Sequence, residues 1–442
     1  MRTIVGNVPR PIIWLGVAML LLTVYGATRL FAFDHAMAVL VALAQGVVFA
    51  VAAILIWFFR DRLPGLSSRS TLIFILGVAA LMRVLFLFAP PYSTDIYRYV
   101  WDGRVQADGI NPYRYIPEDP ALAHLRDEDH IYPHINRRSY APTIYPPTAQ
   151  MVFAAVGHIS QTVTGMKAAM LAFEALAVWA ILALLRARSL PPAFVALYAW
   201  HPLALWEVAG SGHVDMIAFA LLLVALTAAE RGNRIAAGFA LGAGFLAKYI
   251  PLALAPAIWR RWDWKLPAGF AAAVVLLYLP YLSAGGKLFG FLGGYVGEGG
   301  LRTGEGFLGA ALLKQAGLGS LAMPVFLAVA AMVLGGLALI AVTRRDPERP
   351  DLHIAAALAT AFMVLLSPPH AWYFLWLIPF LCFTPSLGVL YLTVSASSLY
   401  RLGWPPSLAG AAVMYGPFLM LLIIENLKVF SRKETRRGSA IA

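Results

Sequence analysis

Apolar residues run through this chain in long blocks, separated by short polar or basic clusters. A helix needs ~20 apolar residues to cross a bilayer core. Blocks of about that length come first at 11–31, 35–59 and 70–88. Others follow at 146–163, 166–185, 192–209, 214–229, 235–259, 266–282, 321–342, 353–366, 371–383, 387–400 and 407–424. The pattern predicts an all-α polytopic membrane protein with about 12–14 transmembrane or half-membrane helices of unequal length. The block after Arg10 is too long for a cleaved signal peptide, and more spans follow it. No internal repeat or low-complexity tract interrupts the series. The one long polar interval is 91–145, a 55-residue loop.

Composition sharpens this picture. Of 442 residues, 60% are hydrophobic and 13% charged, against roughly 25% charged in soluble domains. A mean hydropathy of +0.74 excludes a soluble domain, a disordered chain, a collagen and a coiled coil. The single cysteine, Cys382, excludes an intramolecular disulfide. The net charge of +12 does not point to nucleic acid, because the basic residues sit between apolar blocks, as they do in cytoplasmic loops. Arg2 and Arg10 place the N-terminus inside. Arg60, Arg62 and Arg69 mark one inner loop, and Arg344, Arg345 and Arg349 another. The 428–442 tail, with Lys428, Arg432, Lys433, Arg436 and Arg437, is inner too. The 91–145 loop carries six arginines against eight acids, a net charge of −2. It is expected on the outer, periplasmic side of an inner membrane.

Two places resist simple counting. Arg186 and Arg188 belong inside by charge, so 146–185 must make one net crossing or break the rule. Block 235–259 has basic residues at both flanks and is interrupted by Lys248, Tyr249 and Pro251. It is expected to be two half-helices meeting at membrane depth, which is tolerated only inside protein or along a cavity.

The outer loop carries candidate chemistry. Thr94 is a suitable N-cap. Asp95, Arg98, Tyr99 and Asp102 then recur at i, i+3, i+4 and i+7, on one helical face. Tyr97 and Trp101 on the adjacent face suit the water–lipid interface. A short interfacial helix is therefore expected over 95–106, and a second over 122–129. Asp95 stands just beyond a span, where a helix N-terminus favours negative charge. It is the candidate base, with arginines beside it to hold a phosphate. A solvated helix with ordinary ion pairs explains the same spacing equally well.

Charged groups inside apolar blocks are functional candidates by default. They are Arg83, Glu174, Glu207, His213, Asp215 and Lys248. His201 fits a satisfied core histidine better. His370, Trp372 and Tyr373 follow Pro368-Pro369 at an expected outer end. Glu174 has no evident partner in the sequence. His213 and Asp215 lack a third ligand at metal-site spacing, and no metal or other cofactor is expected. No phosphate-binding glycine loop or soluble nucleotide domain is present, so an activated donor must arrive through the membrane.

Several strings together resemble a known group of enzymes. They are Thr94-Asp-Ile-Tyr-Arg-Tyr-Val-Trp-Asp-Gly103, Gly109-Ile-Asn-Pro-Tyr113, Tyr145-Pro-Pro147, Trp200-His-Pro-Leu203, Gly210-Ser-Gly-His-Val-Asp215, Lys248-Tyr-Ile-Pro251 and Ser367-Pro-Pro-His370 through Tyr373. The chain resembles the GT-C glycosyltransferase superfamily, most closely glycosyltransferase family 87 and the polyprenol-phosphate-mannose-dependent mannosyltransferases. The resemblance implies inverting transfer of a hexose from a polyprenyl-phosphate sugar to a lipid or glycan acceptor on the non-cytoplasmic face. It carries the base onto Asp95. Arg98 and Lys248, with Arg83 or His213, are then expected to hold the phosphate. Asp102, Asp215 and His370 are expected on sugar or acceptor hydroxyls, and Trp101, Trp372 and Tyr373 on a sugar face. Arg104 and Tyr145 complete the expected substrate-binding set. The implied organisation is an added hairpin at 1–69, a GT-C-like catalytic module at 70–285, further helices at 286–427 and the basic tail. A transporter or lipid flippase is the rival reading, since broken helices and buried charges suit it too.

Overall fold

The computed structural model describes residues 8–298, 306–344, 348–366, 368, 370–402 and 407–438. Arg2, Arg345, Ser367 and Pro369, used above, lie outside the described residues. Helices begin where a side chain takes over an unsatisfied backbone N–H. Asp34 accepts from Met37 N at 3.0 Å, Ser68 from Thr71 N at 3.1 Å and Asn233 from Ala236 N at 3.1 Å. They start helices α2 (His35–Phe58), α3 (Arg69–Leu87) and α8 (Arg234–Phe245). Helix α1 is Arg10–Phe31, and the outer loop contributes α4 (Asp95–Ala107). Then come α5 (Pro147–Gly157), α6 (Val163–Ala187), α7 (Asp215–Glu230) and α9 (Lys265–Tyr278). The C-terminal part holds α10 (Leu292–Glu298), α11 (Ala322–Thr343), α12 (Leu352–Leu366), α13 (Leu387–Ser395) and α14 (Leu408–Gly438).

Among the described residues seven helices are long and apolar enough to cross a membrane. The other predicted blocks form shorter pieces. The 192–209 block is not a span. Pro191, Pro192 and Pro202 remove N–H donors, and the chain breaks into short helical pieces ending in a π-turn at Leu205–Gly210. It runs through the interior, where protein partners satisfy its polar atoms. Trp200 donates to Ile75 O at 2.9 Å, Trp206 to Gln45 Oε1 at 2.7 Å, and His201 pairs with Thr393 Oγ1 at 3.0 Å. The 371–383 block is likewise a buried 3-10 run, Ala371–Cys382, containing Pro379. The N-terminal hairpin belongs to the same hydrophobic core, which extends from Val8 to Phe418. Trp57 in α2 donates to Leu381 O at 3.2 Å.

Both counting problems resolve. Helix α5 has 11 residues, about 16 Å at 1.5 Å per residue, and is too short to cross. Only the 25-residue α6 makes the crossing, so Arg188 lands far from the outer loop. There it meets Glu230 at 2.6 Å and Pro350 O at 2.7 Å. Chain segment 235–259 does turn back. Helix α8 enters, the chain breaks at Lys248, and Ile250–Leu254 and Ala255–Ile258 return it. Arg234 at the start of α8 donates to Ile258 O at 3.0 Å, so both flanks share one end.

The outer loop is a folded layer. Helix α4 forms as expected, but Trp101 is 1% exposed and packs on Tyr132 instead of lipid. The expected second helix is a 3-10 turn, Pro120–Leu125, capped by Asp119. Helices α4 and α5 approach closely, and a Cβ on Gly103 would sit 2.4 Å from the Phe153 carbonyl oxygen. Arg104 pairs with Asp127, which also accepts from His130 N and Ile131 N, both at 2.7 Å. Burial raises the Asp127 pKa, but those N–H groups and Arg104 outweigh it and hold the carboxyl at about 2, below its ordinary 3.8.

Two predictions follow from this packing. Gly103→Val should separate α4 from α5 and cost about 1–3 kcal/mol. Thermal unfolding in detergent reads this, and an unshifted transition would contradict the close approach. Because the folded pKa of Asp127 is depressed, its stabilisation is full above pH ~4 and lost as the pH falls toward 2. Proteolysis of the loop should therefore accelerate across that window in the natural protein. In Asp127→Asn it should be fast already at neutral pH, with a flatter acid response.

Candidate active site

Asp95 is delivered by the short turn that links α3 to α4. Buried Lys167, from α6, ties down the end of α3 by donating to Phe86 O at 3.0 Å and Ala89 O at 2.8 Å. Ser93, not Thr94, bonds the first N–H of α4, accepting from Asp95 N at 3.3 Å. Thr94 instead pairs with Asn136, whose Nδ2 also donates to Asp95 Oδ1 at 3.1 Å. Asp95 is half-buried and faces a cavity of about 700 Å³.

Three broken segments form the other walls. In the first, the π-turn is followed by Gly212, whose φ of +72° admits a side chain only with strain. A Cβ there would also meet Ile96 Cδ1 at 2.4 Å. This turn returns His213 N onto Glu207 O at 3.0 Å and starts α7 with Asp215. In the second, the break after α8 presents Lys248. Its Nζ lies 2.6 Å from Asp215 Oδ2 and 4.4 Å from the Tyr373 ring centre. Trp376 Nε1 donates to the other Asp215 oxygen at 3.0 Å. The third brings His370, Trp372 and Tyr373. His213 stacks on Trp372 with centroids 4.6 Å apart, and Trp372 on His370 at 4.4 Å.

Asp95, Tyr145, His213, Asp215, Lys248, His370, Trp372 and Tyr373 thus converge on one cavity. Arg98, Asp102 and Arg104 do not line it. Arg98 Nε donates to Asp102 Oδ1 at 2.8 Å and its Nη1 to Ala141 O at 3.1 Å. Asp102, 2% exposed, also accepts from Thr143 and from Gln150 at 2.8 Å. These groups hold α4 to the loop and to α5, so the expected substrate contacts of all three give way to structural pairing. Arg83 is absent too. It makes a two-pronged pair with Glu174 at 2.8 and 3.1 Å, which supplies the partner that Glu174 lacked in the sequence. The 95–102 spacing was real, but a helix has several buried faces, and spacing does not tell which one meets the cavity.

Other cavity residues carried no sequence signal: Asn136, Arg137, Tyr140 and Tyr295. Arg137 pairs with Glu298 at 2.6 Å, and the Tyr295 and Tyr373 hydroxyls meet at 3.3 Å. Among the described residues no three His, Cys, Asp or Glu side chains converge as a metal set.

The comparisons bear on this arrangement. A family model for the MptA_B family, described as alpha-(1->6)-mannopyranosyltransferase, N-terminal domain, matches residues 10–263, more than half of the chain. The chain belongs to this family. It is a mannosyltransferase. No curated protein and no solved structure matches the chain. The resemblance to membrane mannosyltransferases therefore stands, while the narrower likeness to family 87 is not what the match names. The matched region starts at residue 10 and so includes the N-terminal hairpin. It contains Asp95, His213, Asp215 and Lys248. The mannosyltransferase's His370–Tyr373 wall comes from the remaining chain.

Asp102→Asn in this mannosyltransferase should act on stability. It weakens a buried ion pair that also accepts two neutral donors, a change worth about 3–5 kcal/mol when such a pair is broken. The melting temperature should fall well below that of Asp95→Asn, measured in the same detergent. Equal melting temperatures would place Asp102 outside the framework role.

Proposed function

We propose that this mannosyltransferase moves a mannosyl group from a polyprenyl-phosphate donor to a hydroxyl of a lipid or glycan acceptor, by one inverting displacement in the cavity beside Asp95. The observation that carries the reading is the placement of Asp95 across one cavity from Lys248 and the His213–Trp372–His370 stack. Asp95 accepts the proton of the acceptor hydroxyl as its oxygen attacks the anomeric carbon. The bond from that carbon to the phosphate oxygen breaks, and polyprenyl phosphate leaves as an anion. Such a leaving group needs cations more than it needs an acid. Lys248 supplies one, with Asp215 and Trp376 fixing its position. Base catalysis contributes ~10²–10⁴-fold, and holding donor and acceptor together contributes much of the rest. Family members are described by an alpha-(1->6) linkage. If this chain makes that linkage with one inversion, its donor carries mannose in the β configuration.

The cavity opens beneath the 91–145 loop, away from the basic cluster of Arg188, Arg234 and Arg349. By charge asymmetry, that loop faces the periplasm and the protein lies in the inner membrane. Lipid phosphate arriving from the bilayer then meets the site without crossing water. A cavity that sets the carboxylate of Asp95 beside two paired cations, Lys248 and Arg137, favours the transferase over a flippase.

Two measurements test this reading. Asp95→Asn should lower kcat with polyprenyl-phosphate mannose by ~10²-fold or more while donor binding survives. Near-normal turnover would remove Asp95 as base. A cysteine replacing Glu118 should react with an impermeant thiol reagent in intact spheroplasts. Protection at that site together with labelling of the C-terminal tail would reverse the orientation.

A further inference from the structure

Glu207 is buried beside the cavity without lining it, and nothing in the displacement just described uses it. It and His213 are each 1% exposed. Its carboxylate accepts from the Tyr400 hydroxyl at 2.9 and 3.0 Å, and Ser211 Oγ lies at 3.5 Å. Among the described residues no Lys or Arg pairs with it. The remaining group within reach is His213, whose Nε2 stands 3.2 Å from Glu207 Oε2. That contact is close but poorly aligned, so Nε2 is sealed from water without a proper hydrogen bond. A buried polar nitrogen left so is costly, and one aimed at a carboxylate needs only a small ring rotation to be satisfied. The other ring nitrogen, Nδ1, bonds no described residue, and the ring lines the cavity.

The local backbone explains the pairing. An α-helical turn would not return residue i+6 to residue i. The π-turn over Leu205–Gly210 and the left-handed Gly212 do so, and they also join His213 N to Glu207 O. Tyr400 reaches the same carboxylate from the C-terminal half of the chain.

Resting on the transferase reading above, we propose that Glu207 is a positioning residue. It takes the Nε2–H of His213, locks the imidazole in that tautomer against Trp372, and leaves Nδ1 as an acceptor for a hydroxyl of the mannosyl group or of the acceptor. Catalytic hydrogen bonds are often loose before substrate binds and tighten afterwards, which fits the present misalignment. His213 thereby becomes a hydroxyl-binding group, and the phosphate is left to Lys248.

The test measures kcat and both KM values with polyprenyl-phosphate mannose and a mannobioside acceptor, for Glu207→Gln, His213→Gln and the double variant. Removing such a supporting partner costs about 10–100-fold. Glu207→Gln should lower kcat/KM by that order and raise the KM of the same substrate that His213→Gln affects. The double variant should be no worse than His213→Gln alone, because the two act as a unit. Losses that multiply, or a KM change for the other substrate only, or no change, would overturn the proposal. If Glu207→Gln does not accumulate, Tyr400→Phe serves. It should show a smaller shift in the same KM, absent in the His213→Gln background, and any other pattern counts against the pairing. Asp95→Asn in the same series separates the two ideas. Full activity there undermines the transferase mechanism, whereas its loss together with a silent Glu207→Gln defeats the positioning role alone.

Discussion

A charge held away from water must find an opposite charge or a set of aligned dipoles, and in a bilayer only the protein can supply them. This requirement shapes the molecule. Arg83 takes Glu174, Arg98 takes Asp102, Lys248 takes Asp215, and Lys167 takes the Phe86 carbonyl in α3 and the Ala89 carbonyl just beyond it. Each pairing joins segments distant in sequence or in depth, except Arg98 with Asp102, which braces a single helix. Breaking any of them leaves an uncompensated buried group, so each fixes where its helix can sit. Removing one partner costs far more than the pair itself contributes, and such pairs act chiefly on geometry.

The same requirement explains where irregular backbone is allowed. Prolines and glycines break the 192–212, 246–254 and 370–382 segments, exposing N–H and C=O groups that lipid could not satisfy. The 192–212 and 370–382 segments therefore lie inside a sheath of longer helices, the 246–254 segment is partly covered, and the three chain breaks meet around one cavity. Polar side chains follow the breaks, because a broken helix can point a side chain across the membrane plane where a regular one cannot. The cavity thus combines cations, imidazoles and flat aromatic faces, a set suited to a sugar.

Above that cavity the outer loop works as a folded cover. Its ion pairs and its buried Trp101 and Tyr113 make it rigid enough to hold Asp95 at the N-terminus of α4. The close contact at Gly103 presses α4 onto α5, and Asp102 ties both to Thr143. The acid that faces the cavity and the acid that braces the framework are two turns apart on one short helix, because one side of that helix meets space and the other meets protein.

The sequence by itself determined the membrane class, the helical architecture, the broken segment at Lys248, the structured outer loop and eight residues of the cavity wall. It could do so because hydropathy, proline and rare buried charges are local signals. Tertiary structure alone decided the partners. Glu174 sits 91 positions from Arg83 and Asp215 33 positions from Lys248, and no periodicity links them. It also turned Trp101 inward and withdrew Arg98, Asp102 and Arg104 from the site, since spacing on a helix fixes which residues share a face but not what that face meets. Glu207 and His213 could be read as buried charges one by one. Their meeting depended on a π-turn and a left-handed glycine, which set direction through backbone dihedrals that no pattern of polar and apolar letters encodes.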